Sequence, residues 1–190
     1  MASVIRLILV GALITGGAVL AGCQDSLHDE VARGDRRAVE VLLDAAPALI
    51  DSRNDLGKTA LHHAVSFRRI AMMALLSTRG ADLAARDETG MTPLHSAALL
   101  GFVDEAAWLL RHGAPVEARD VFGDTPAHTA VVFGRSGVLR VLSEHGANLR
   151  AKNAAGMTPL ELARKYGRER TARNVLRLIM WQRRALAPGE

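Results

Sequence analysis

Histidines at fixed intervals and a single cysteine are the side chains of this sequence best suited to chemistry. His62, His95 and His128 stand 33 residues apart, and His112 and His145 repeat that interval. Imidazoles can ligate a metal or act as a general base. The interval argues against a shared metal. Packed helices lie about 8–10 Å apart, whereas each zinc ligand must come within about 2.1 Å of the ion. His62 and His63 are neighbours and point differently on a helix. The sequence has no Gly-rich phosphate loop, no paired-histidine zinc helix and no Gly-x-Ser-x-Gly elbow. The expectation is a protein without catalysis, metal or cofactor, its histidines structural. One cysteine, Cys23, can make neither an internal disulfide nor a zinc site.

The elements that carry these residues are built from small apolar side chains. The chain has 190 residues, 49% of them hydrophobic but only 4% aromatic. That excludes a disordered chain and leaves Leu, Val, Ile and Ala to fill a core, which suits closely packed helices. Net charge is +4, from 24 basic and 20 acidic residues. So small an excess does not argue for nucleic acid.

A repeat fills most of the sequence. Thr59-Ala60-Leu61-His62, Thr92-Pro93-Leu94-His95, Thr125-Pro126-Ala127-His128 and Thr158-Pro159-Leu160-Glu161 follow one another every 33 residues. Three glycine series keep the same step: Gly101, Gly134, Gly167; Gly57, Gly90, Gly123, Gly156; and Gly80, Gly113, Gly146. A threonine caps a helix and a proline suits its first turn. The glycine after the first helix permits a left-handed turn, and Leu75-Leu76, Leu109-Leu110 and Val141-Leu142 supply the buried face of a second helix.

Residues 25–190 resemble the ankyrin repeat. The resemblance implies an all-α solenoid of about five 33-residue helix-turn-helix repeats with hairpin loops, at about 25–58, 59–91, 92–124, 125–157 and 158–190. It also implies that the motif histidines tie neighbouring turns by hydrogen bonds. The first repeat is blurred, with Leu27-His28, Gly34 and Val41-Leu42-Leu43 as its marks and a loop one residue longer. Three residues depart from the pattern: Ala60 for proline, Arg68 where a turn glycine is expected, and Ala127 for leucine; the second repeat's turn and the fourth repeat's core are expected to be locally weaker.

Residues 1–22 read as an address. Arg6 precedes an apolar run that ends in Leu20-Ala21-Gly22-Cys23. That run of 16 residues is short of the roughly 20 that span a bilayer. It resembles the lipobox of bacterial lipoproteins. The resemblance implies cleavage before Cys23, a lipid anchor on its sulfur, a tether over 23–26 and a repeat domain over 27–190. Gln24 implies the outer membrane, and the protein then works on the periplasmic side. An uncleaved anchor is the other reading. Gln24, Asp25 and Ser26 alone separate the anchor from Leu27, a reach of roughly 10 Å.

Ankyrin stacks bind other proteins through a concave groove and hairpin tips, and that is the expected activity here, as a monomer without nucleic acid. One interval places Phe67, Leu100, Phe133 and Tyr166 before the turn, with Leu99 and Val132 beside them. It also places Arg53, Arg86, Arg119 and Lys152 at the tips. These ten residues are the candidate partner site, though the apolar set could equally pack between repeats. The acidic tip residues Asp87 and Asp120 are expected to link one hairpin to the next. Some periplasmic ankyrin proteins support peroxide defence. A toxin-neutralising immunity protein is the alternative. From Thr158 onward eight basic residues face three acidic ones. This tail is either a solvated cap or a contact for anionic lipid or an acidic partner.

Overall fold

A computed structural model describes residues 27–186. The expected address, Cys23 and the tether lie outside the described residues. Among the described residues there are helices, turns and no strand. They form two compact units, one ending at Asp82 and the other beginning at Leu83.

The first unit holds α1 (27–33), α2 (Arg36–Ala45), α3 (Ala60–Ser66) and α4 (Ile70–Thr78). The second holds α5 (Pro93–Leu100), α6 (Val103–Arg111), α7 (Pro126–Val132), α8 (Ser136–Glu144), α9 (Pro159–Lys165) and α10 (Glu169–Leu186). The pairs α3–α4, α5–α6, α7–α8 and α9–α10 each pack together. In the second unit α5 packs on α7, α7 on α9 and α6 on α8. Helices of seven to ten residues are marginal alone in water. In the second unit each is held because its apolar face meets the neighbouring repeat.

Threonine starts every first helix from α3 onward. Thr59, Thr92, Thr125 and Thr158 have extended backbones, and each is paired with the side chain three residues on in a reciprocal cap. This satisfies two N–H groups that a helix start otherwise leaves bare. The first three of these threonines are fully buried.

The expected weak points resolve differently. Arg68 does take the left-handed turn, with φ of 56°. A side chain there costs about 1–2 kcal/mol. Ala127 is 1% exposed, so the fold closes over the smaller side chain. Leu110 is only half-buried, and Trp108 packs in the core instead, its ring 3.8 Å from that of His112. The long first loop becomes a single 3-10 turn, Pro47–Asp51, that buries Leu49.

Candidate functional site

The motif histidines hold the frame. His62, His95 and His128 are fully buried. The Nδ1 of His128 accepts from the backbone N–H of Thr125 at 3.2 Å and lies 2.9 Å from its hydroxyl. With Nδ1 accepting, Nε2 carries the proton and donates to the Met157 carbonyl at 3.1 Å. His95 does the same toward Asp124, at 3.0 Å. A first helix is thereby tied to the hairpin 29 residues on. Glu161 takes the histidine's place in α9, accepting from the Thr158 N–H at 2.7 Å and hydroxyl at 2.9 Å while exposed.

Three imidazoles, His63, His95 and His128, are held neutral. Burial pushes His95 and His128 down from the usual histidine range. Burial and then the neighbouring His28 push His63 down to about 4. The His28 and His63 rings are 5.0 Å apart, and His63 Nε2 accepts from Asn54 at 3.1 Å. The unfolded chain therefore binds protons that the folded one refuses. Stability is complete above pH about 6.5 and falls as pH drops from there toward 4. Urea midpoints measured across that window should decline, and His63→Gln should flatten part of the slope.

The tips are stapled along the second unit. Arg86 donates to the Arg119 carbonyl at 2.6 Å, and Arg119 to those of Gly123 and Lys152, both at 2.8 Å. In the first unit Arg53 donates to the Gly57 carbonyl at 3.0 Å. These guanidinium groups are exposed but engaged with backbone; Lys152 extends from the last of these tips. The acidic residues Asp87 and Asp120 act within a hairpin and not between hairpins, which corrects the expectation. Asp87 accepts from the N–H groups of Thr89 and Met91, and Asp120 from those of Phe122 and Asp124. A short carboxylate reaches its own chain two and four residues on more easily than a neighbouring hairpin. The links between hairpins include the arginines, two backbone bonds, Val121 N–H to Thr89 and Ala154 N–H to Phe122, and the Asn153 amide, which donates to the Asp124 carboxylate at 2.7 Å.

The apolar set sits where the first helices end. Phe133 and Tyr166 are the residues that close α7 and α9, and Leu100 is the last residue of α5. Their helices pack side by side, so the second unit brings these positions into one row. Phe133 is 44% exposed and Tyr166 54%. Leu99, Leu100 and Val132 are half-buried. Phe67 closes α3 in the first unit and is 52% exposed.

A third series escaped the sequence reading although it keeps the interval. Arg135 donates to the Leu99 carbonyl at 3.0 Å and Arg168 to that of Val132 at 3.2 Å. In the first unit Arg69 reaches the carbonyls of Ala32 and Arg33. Each satisfies a carbonyl at a helix end and fixes the backbone under the row. Phe102 stands at the fourth position of this series. Exposed apolar residues at the tips were also missed: Leu56 at 58%, Val121 at 62% and Phe122 at 68%. Among the described residues no three His, Cys, Asp or Glu side chains converge as for a metal ion, and no helix is long and apolar enough to cross a membrane.

The family model described as ankyrin repeats (3 copies) matches residues 27–120 and 108–180. The chain belongs to the ankyrin-repeat family. No curated protein matches it. As an ankyrin-repeat protein it is a helical solenoid of the kind that serves protein–protein interaction. The Thr–His caps are then the family's framework.

Proposed function

We propose that this ankyrin-repeat chain is a membrane-tethered module. It binds another protein through the row at the first-helix ends, and lipid on Cys23 holds it at the periplasmic face of the envelope, in the outer membrane. The observation that carries the binding role is the row itself. Phe133 and Tyr166 expose about half of their surface beside half-buried Leu99, Leu100 and Val132, on backbone pinned by Arg135 and Arg168. Rigid aromatic side chains set among apolar neighbours are the usual anchors of an interface. Phe67 extends the same chemistry to the first unit. The basic tips contribute charge at the rim, where it sets approach and specificity more than affinity.

A photo-crosslinking residue at position 133 should capture one cellular protein that the same residue at exposed position 111 does not. Against that protein Phe133→Ala should weaken binding by over ~1 kcal/mol and barely move the melting temperature. A large loss of stability with unchanged affinity overturns the site. The anchor is tested separately, by metabolic labelling with a fatty acid: wild type should label and Cys23→Ser should not. Peroxide defence is the setting the family resemblance suggests, and a deletion strain with unaltered peroxide survival removes it.

A further inference from the structure

The last helix carries more than its repeat needs. Helix α10 has 18 residues, whereas α4, α6 and α8 have 9 each. Its inner side is ordinary for the fold, with Thr171, Ala172 and Val175 buried. At 3.6 residues per turn, Arg170, Arg173, Arg177 and Arg184 share one exposed stripe on the other side. Leu176 and Met180 flank that stripe on one edge and Trp181 on the other. They are 40%, 59% and 49% exposed.

A solvated cap accounts for only part of this. Arg183 and Arg184 suit the negative end of the helix. Arg170 lies in the first turn, at the positive end, where a cation is disfavoured. Arg177 bonds to Asn174, and Arg170, Arg173, Arg183 and Arg184 have no carboxylate partner among the described residues. Glu169 is the one acidic residue of the helix. A cap kept only for solubility would also not present three large apolar side chains to water.

We propose that this outer face of α10 docks on an anionic lipid bilayer. Guanidinium groups would meet lipid phosphates, and Leu176, Met180 and Trp181 would enter the boundary between headgroups and acyl chains. Tryptophan favours that depth because its ring is apolar and its N–H polar. A bilayer fits better than an acidic segment of a protein. A cationic stripe with apolar side chains along both of its edges lies on one helix face, and a plane can meet all of them at once. The contact is separate from the partner row and does not depend on the lipid at Cys23.

Trp181 reports on its own docking. The chain has two tryptophans, and Trp108 is buried. The full chain carrying Trp108→Phe, its fold checked by circular dichroism, is mixed with vesicles whose acyl chains are brominated. One set is phosphatidylcholine; the other contains about 30% phosphatidylglycerol, enough to set up a negative surface potential. Trp181 emission should shift to the blue and be quenched severalfold more on the anionic vesicles, and salt near ~0.5 M should abolish the difference. Each basic residue near such a surface raises affinity about fivefold, so Arg173→Glu with Arg177→Glu should lower it more than tenfold. Equal quenching on both vesicles overturns the proposal, because it leaves only charge-independent attachment elsewhere in the chain. So does bound protein with unquenched Trp181. A stronger response to a poly-glutamate peptide than to vesicles points instead to an acidic protein partner. A dimer dispersed by the double substitution points to a second copy of the chain.

Discussion

Gly123→Ala should destabilise the protein by roughly 3 kcal/mol, and Gly156→Ala by only about 1 kcal/mol, although the two glycines share one place in the repeat. Both have positive φ, 72° and 74°. The left-handed backbone penalty of about 1–2 kcal/mol therefore applies to each, less what alanine removes from the freedom of the unfolded chain. The difference lies beside them. A Cβ on Gly123 would stand 2.7 Å from the backbone nitrogen of Ala154, whereas one on Gly156 meets nothing within 4 Å. Ala154 is that close because its N–H bonds to the Phe122 carbonyl at 3.0 Å. The methyl must push two hairpins apart and break that bond. Gly90 has the same relation to Val121, at 2.9 Å, and its alanine variant should behave as that of Gly123 does. Urea unfolding of the three variants checks this. Equal losses at Gly123 and Gly156 would mean that backbone conformation alone explains the glycine series.

His128→Ala should cost about 4 kcal/mol, and His95→Ala, with the equivalent bonds to Thr92 and Asp124, a similar amount. The His128 change strands the Thr125 N–H and hydroxyl at the buried end of the ring and the part-buried Met157 carbonyl at the other. Each buried polar group left without a partner costs about 1–3 kcal/mol, and the lost ring adds a cavity. Glu161→Ala removes the equivalent side chain from α9, where Glu161 and its bonds are exposed. Water replaces that carboxylate, so the variant should lose a small fraction of what His128→Ala loses. Chemical denaturation of both measures the contrast, and comparable losses would show that the inter-hairpin bond of His128 contributes little.

These pairs show where sequence reasoning stops. The Thr–Pro starts and the turn positions were legible because they are local. A cap needs only its own next three residues, and Arg68 announced its strained turn by standing where glycine recurs. The aromatic row was legible from its interval. Other features needed the neighbour in space. Asp87 and Asp120 were expected to join hairpins and instead close their own. Arg135 and Arg168 reach back 36 residues, which no pattern within one repeat reveals. Leu110, expected in the buried face, is only half-buried while Trp108 is buried, because packing against α8 depends on side-chain volume as well as helical position.

The sequence by itself determined that this protein is a series of short paired helices repeating every 33 residues, since hydrophobic period and cap chemistry act over a few residues and need no partner. Only the tertiary structure decided which members of each equal series carry weight. Gly123 is confined by the next hairpin and Gly156 is not. His128 donates to the next hairpin, and Glu161 keeps an exposed cap of its own. Trp181 is half exposed on the outer face of α10, whereas Trp108 is buried. The physical reason is common to all three: a residue's burial and hydrogen bonds are completed by a neighbouring repeat about 33 positions away, and an equal place in the series does not guarantee an equal neighbour.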